Sequence, residues 1–388
     1  MDRPNDAKTK TQRLSNILVD IASQFFLAVV VGLVMAVVAN SFVEGARWFL
    51  NLSRVDSFIS MQIGGANYTL DIFLTLAGAA VLILLVRRIL GITIWSGPAD
   101  SIYAVQQSRE PLDIRLGMGS TLAAFVAASG GGSVGQYGPL VHFGATMTEI
   151  LLKYIRIKID RRVFIACGVA GAISAGFNAP IAGVLFAHEA LLRRISVGAI
   201  APIAITSIVA YAANQAFFNI EPTFSVPDMP IELQPLIPFL IMTAFMSAAS
   251  AVAYMAAIRK GRELATRSQW SMPKLIFSCV FVVGCVGVVL PDITGLGLTQ
   301  VNQMIDAQFT LGMLVILLAA KIFVTAYCLN TGFFGGVFGP ALFVGAATGA
   351  IAAYLAVMMG LAPHLSYALP VAAIAAVGGA VIGAPLAV

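Results

Sequence analysis

Charge is scarce in this sequence. Asp, Glu, Lys and Arg together make up 11% of its 388 residues, with three histidines and four cysteines. An ordinary soluble domain carries about a quarter charged residues, so this chain cannot cover a globular surface with charge. Chemistry-bearing constellations are missing as well. There is no nucleophile–base pair and no Gly-Lys-Ser/Thr phosphate loop. His188-Glu189 is only half of a zinc-protease motif, because Leu192 stands where the second histidine belongs. Cys167, Cys279, Cys285 and Cys328 all lie in apolar runs without metal-ligand spacing and read as buried free thiols. No enzyme activity, metal or cofactor is expected. The net charge of +5 sits in a few loops and reports topology rather than a nucleic-acid partner.

What is abundant is apolar length. The chain is 59% hydrophobic with a mean hydropathy of +0.91, which leaves a polytopic membrane protein as the expected class. Met1–Asn16 is polar and lacks a small-residue cleavage pattern, so it reads as a cytoplasmic tail (1–15) rather than a leader. Apolar stretches follow at Ile17–Val43, Ile72–Val86, 116–129, up to about Leu152, and Val163–Ala190, the last broken at Asn178-Ala179-Pro180. More lie at about 197–217, 233–257, 275–290, 311–329, 338–359 and 367–388, with polar connections at 44–71 and 96–115. Lys and Arg crowd the tail, Arg87-Arg88, 153–162, Arg193-Arg194 and Arg259–Lys274. Loops 218–232 and 291–310 have neither, and carry Glu221, Asp228, Glu232, Asp292 and Asp306. The positive-inside rule places the N-terminus and the basic loops in the cytoplasm.

Glycine is placed rather than scattered. Residues 131–145 hold five glycines and a proline at membrane depth, where bare backbone is tolerated only if buried in protein or lining a cavity. Gly135-Gln136-Tyr137-Gly138-Pro139 returns 201 residues later as Gly336-Val337-Phe338-Gly339-Pro340, and Gly144 returns as Gly345. A second mark, Asn178-Ala179-Pro180, returns as Gly383-Ala384-Pro385. Matched breaks of this kind predict two inverted repeats, 16–220 and 221–388, with a binding site near the midplane. Only three residues follow Pro385, against a full further span after Pro180, so the second half is expected to lack its final helices within this chain.

Half-helices that start at mid-membrane offer unpaired N–H groups and a partial positive charge, each contributing about 0.3–2 kcal/mol to holding an anion. No basic side chain falls inside these turns, so partial charges would hold the ion. Other readings stand beside this one. Ser96 caps a helix or ligates an anion; Tyr137 and Phe338 pack or line a pathway; Glu189 pairs with a local Arg; His142 and His364 are satisfied or interfacial.

At these motifs the chain resembles the CLC chloride channels and chloride–proton antiporters, in a divergent, prokaryotic-type form. The family's Gly-x-Phe-x-Pro signature is met by Gly336-Val337-Phe338-Gly339-Pro340. Its Gly-(Lys/Arg)-Glu-Gly-Pro signature is met in frame by Gly135–Pro139, with Tyr137 where the family has its gating Glu. Its Gly-Ser-Gly-Ile-Pro signature survives only as the Ser96-Gly97 core, and Ala190 occupies the inner proton-relay position. The resemblance implies an all-α bundle of tilted and broken helices. It also implies an anion site formed by Ser96, Gly97, Gly135, Gln136, Tyr137, Gly138, Gly336, Val337, Phe338 and Gly339, with Tyr137 as gate. It implies a homodimer in a bacterial inner membrane whose partners are chloride and the bilayer.

With both proton positions non-titrating near neutral pH, the expected function is passive chloride conduction without proton coupling. The alternatives are a secondary carrier coupled to H⁺ or Na⁺, and a non-conducting relative plugged by Tyr137.

Overall fold

The computed structural model describes residues 4–388 apart from 56–59, 64–65, 108–110, 156–159, 195–196, 219–222, 225 and 227–231. Helix α1 (Pro4–Val55) absorbs the expected tail, the first span and part of the polar connection, because no proline follows Pro4 to interrupt it. The rest of that connection holds the one departure from an all-helical chain among the described residues. Strands β1 (Ser60–Ile63) and β2 (Ala66–Thr69) form an antiparallel ladder that pairs Ser60 with Thr69. The stretch 96–115, expected as polar connection, contains a short helix.

The first half continues as α2 (Asp71–Leu90), α3 (Pro98–Gln107), α4 (Ile114–Ser129), α5 (Tyr137–Tyr154), α6 (Arg161–Phe177), α7 (Pro180–Phe186) and α8 (Val197–Ala213). The second runs through α9 (Leu233–Ser268), α10 (Met272–Val289), α11 (Leu298–Ile305), α12 (Leu311–Asn330), α13 (Phe338–Met358) and α14 (Ala368–Ile382). Helices α10 to α14 begin about 200 residues after α2 to α6, one for one, so the repeat extends well past the motifs that revealed it. Eight of the described helices are long and apolar enough to cross a membrane, and the chain is an integral multi-pass membrane protein. The expected boundary at 220/221, and Arg156, Lys158, Glu221 and Asp228, lie outside the described residues.

The breaks at Asn178 and Gly383 have one cause. Asn178 (φ 58°) and Gly383 (φ 68°) each take the left-handed conformation that ends α6 and α14, and each is followed by Ala-Pro. Proline then sits at the first position of α7, where its missing N–H is harmless. Close helix contact also repeats. A Cβ on Gly144 would stand 2.7 Å from the Gly168 carbonyl oxygen, and one on Gly345 would stand 2.7 Å from that of Ala373. Thus α5 packs backbone-to-backbone on α6 as α13 does on α14, the contact small residues permit where lipid offers no hydrophobic drive. Both α6 and α13 are buried over most of their length.

The expectation for the cysteines is corrected at one position. Cys167, Cys279 and Cys328 are buried thiols, whereas Cys285 faces outward from α10. The Cys279 thiol donates a hydrogen bond to the Cys328 sulfur at 3.7 Å, and the two are free thiols.

Candidate functional site

The two glycine turns meet each other. The Gly135 N–H donates to the Gly336 carbonyl at 2.7 Å, and the Gly336 N–H donates to the Gly135 carbonyl at 2.6 Å. This reciprocal pair puts the pseudo-twofold axis of the repeat between them. Approach this close excludes any side chain: a Cβ on Gly135 would lie 2.8 Å from both the Gly336 oxygen and the Gly339 nitrogen.

The pairing uses up the amides of Gly135 and Gly336, so neither is free for an anion. The amides that follow differ. Helices α5 and α13 start at Tyr137 and Phe338, with Gln136 and Val337 at their N-caps and no side-chain cap. First-turn N–H groups such as those of Gly138 and Gly339 have no intrahelical acceptor, and the helix dipole adds partial positive charge there. The third expected contributor is arranged otherwise. The Gly97 N–H donates to Asp100 Oδ2 at 2.7 Å, so α3 is capped by its own third residue. The buried Ser96 donates its N–H to Ser120 Oγ at 2.8 Å.

Aromatic rings close the space in front of α5 and α13. Tyr137 stacks on Phe177 with centroids 3.6 Å apart and planes 19° apart, and Phe338 stands edge-on to Phe177 (5.5 Å, 72°) and to Tyr137 (6.4 Å, 74°). Tyr137 is buried, and its hydroxyl has no well-formed hydrogen bond among the described residues. The fully buried Gln136 leaves both polar atoms of its side-chain amide unpartnered in the same sense. Phe177 was not picked out from the sequence as a site residue. Its signal was its place just ahead of the repeated x-Ala-Pro break, which Ile382 occupies in the second half.

An apolar cavity of about 640 Å³ adjoins this cluster. Tyr137, Gly138, Gly336, Val337 and Phe338 line it, as does Ala190. Ser96 and Gly97 lie just ahead of Pro98, which lines it, while Gly135 and Gly339 belong to the contact between the turns and Gln136 is the buried N-cap of α5. Among the described lining residues, Tyr137 alone bears a titratable side chain.

Carboxylates and histidines outside the cavity lining make contacts of their own. Glu149 forms an ion pair with Arg161. Glu189, expected to pair with an arginine, instead accepts the backbone N–H groups of Leu386 (3.1 Å) and Ala387 (3.1 Å), donors almost 200 residues away. It lies on the π-helical turn Ala187–Leu192, which continues α7. His142 Nδ1 bonds Ser101 Oγ at 2.6 Å while its Nε2 has no partner among the described residues, and His364 is exposed.

Comparison with known proteins agrees with the repeat and its motifs. Residues 77–388 match the family model described as voltage gated chloride channel. The chain is 25% identical over 281 residues to a putative chloride channel protein ClcB-like of Ralstonia nicotianae, covering 70% of this chain and 66% of that protein. It is 28% identical over 346 residues to the H(+)/Cl(-) exchange transporter ClcA of Vibrio cholerae, covering 83% and 71%. The chain thus spans about two thirds of the length of these curated relatives. Its fold superposes on a slow cyanobacterial Cl-/H+ antiporter with a TM-score of 0.77 at 17% identity, covering 94% of this chain and 87% of that one. With the inverted repeat, the paired Gly-x-aromatic-Gly-Pro turns and the family match over most of the sequence in agreement, the chain belongs to the voltage-gated chloride channel (CLC) family.

Proposed function

We propose that the protein passes chloride, or a similar monovalent anion, passively across the membrane without proton coupling. The anion sits at the N-termini of α5 and α13, held by first-turn amides rather than by a salt bridge. Each terminus contributes about 0.3–2 kcal/mol, which offsets part of the dehydration cost yet lets the ion leave. Gln136, Tyr137, Gly138, Val337, Phe338 and Gly339 form this site, with Ser96 and Gly97 behind it. The observation that carries the uncoupled reading is the cavity lining: among its described residues only Tyr137 has a titratable side chain, and Ala190 lines it as well. Phenols ionise near pH 10, so this ring cannot shuttle protons at neutral pH. The ClcA relative is an exchange transporter and the ClcB-like relative a putative channel, so kinship leaves the two modes to be separated by flux. Chloride flux from proteoliposomes, with and without a pH gradient, tests the proposal.

A second reading has its own support. Tyr137 stacked on Phe177, with Phe338 edge-on, leaves a closed cluster in front of the amides. A relative that no longer conducts, plugged by Tyr137, fits that closure; absence of flux in the unmodified protein together with flux after Tyr137→Ala identifies it.

The protein works as a homodimer with one pathway per subunit, in a bacterial inner membrane and with a cytoplasmic N-terminus. The basic loops support the orientation. Crosslinking in membranes that yields only monomers contradicts the dimer.

A further inference from the structure

Lys321 lies halfway along the apolar α12, and it is fully buried. Ionisable groups at such depth are costly and are kept where they serve a pathway. Its ammonium donates to the carbonyl oxygens of Ile293 (2.9 Å) and Gly295 (3.2 Å) and lies over the face of the Phe343 ring, 4.8 Å from Nζ to the centroid.

The ammonium is wired to the meeting point of the two halves. Gly295, whose carbonyl accepts from Lys321, donates its own N–H to the Gly131 carbonyl at 2.9 Å, at the start of the first glycine turn. One helical turn along α12, Thr325 Oγ1 lies 2.9 Å from Ser133 Oγ in the same turn. On the other side, Phe343 belongs to the second turn of α13, so Nζ stands on the order of 10 Å from the α13 N-terminus, given a rise of about 1.5 Å per residue.

The repeat shows what is special about the charge. Residue 321 corresponds to residue 120 at the 201-residue offset, and there a neutral Ser120 accepts the Ser96 N–H. Holding the loop ahead of the short helix therefore does not require a cation in the first half. We propose that the Lys321 ammonium is a fixed positive charge that raises anion affinity at the N-termini of α5 and α13. A unit charge about 10 Å away, in a medium of effective dielectric about 20, changes the affinity for a monovalent anion roughly tenfold.

This inference rests on the anion-binding reading above, and the experiment separates the two. Binding of chloride, bromide and nitrate to the purified protein is measured by calorimetry for the unmodified chain, Lys321→Met and Lys321→Gln, with thermal unfolding recorded alongside. Both variants should bind all three anions roughly tenfold more weakly with their relative order kept, since a distant charge acts on every monovalent anion alike. Unchanged affinity in folded variants overturns the inference, and so does an altered ratio among the anions, which marks a displaced turn. Failure of both variants to fold also overturns it, by making the ammonium a structural tether. If the unmodified protein binds none of the three, the proposed function itself fails.

Discussion

Gly135 and Gly336, 201 residues apart, exchange both of their backbone hydrogen bonds, at 2.7 and 2.6 Å. The internal repeat of the sequence thus closes on itself at one atom-scale junction, and the helices that start there, α5 and α13, leave it in opposite halves of the molecule.

Replacing Gly135 by Ala should therefore cost more than an ordinary helix substitution. The added methyl meets backbone atoms at 2.8 Å, which cannot rotate away as a side chain would. Overpacking of this sort destabilises by about 1–3 kcal/mol. Thermal unfolding in detergent should show the loss together with weakened anion binding; Gly312→Ala, where a Cβ meets nothing within 4 Å, should show neither.

The sequence made these turns legible because the contact itself demands glycine at fixed spacing. The breaks were legible for a similar reason, since left-handed caps followed by proline leave a written mark at 178–180 and 383–385. What could not be read were the partners. Asp100 reaches back to its own helix start, and Glu189 accepts from residues nearly 200 positions on; neither choice has a local signature. The hairpin at 60–69 and the extent of α3 have no local mark either, because a polar stretch reads alike as loop, strand or short helix. Lys321 leaves no mark of its own, since one cation in a long apolar run does not disturb the pattern of a span.

Tyr137 sits between the cavity and the helix starts. Tyr137→Ala should raise anion flux by opening the stack on Phe177, and equal flux would reduce the ring to packing. Tyr137→Phe should leave flux as it is, because the hydroxyl makes no well-formed hydrogen bond among the described residues.

Asp100 places a carboxylate on the Gly97 amide, at a helix start that would otherwise favour an anion. Asp100→Asn keeps an acceptor oxygen and removes the charge. Chloride affinity should then rise a few-fold at neutral pH, through relief of like-charge repulsion. A fall in affinity, by calorimetry, contradicts that role.

Tyr137→Glu should make flux depend on pH. A carboxyl ordinarily ionises near pH 4.3. At lower pH it is neutral and leaves the α5 N-terminus to the anion; as pH rises it ionises and competes for the same amides. Flux through this variant should fall from about pH 4 to about pH 7, while the unmodified protein stays flat over that range. A flat profile in the variant would mean that residue 137 does not face the pathway.

Uncoupled conduction is the central claim, and proton movement measures it directly. Proteoliposomes containing the unmodified protein are loaded with chloride, diluted into low-chloride buffer of equal pH, and followed with chloride and pH electrodes after the membrane potential is shunted. The account predicts chloride efflux with no accompanying proton uptake. Proton uptake driven by the chloride gradient, in fixed proportion to chloride released, would contradict it.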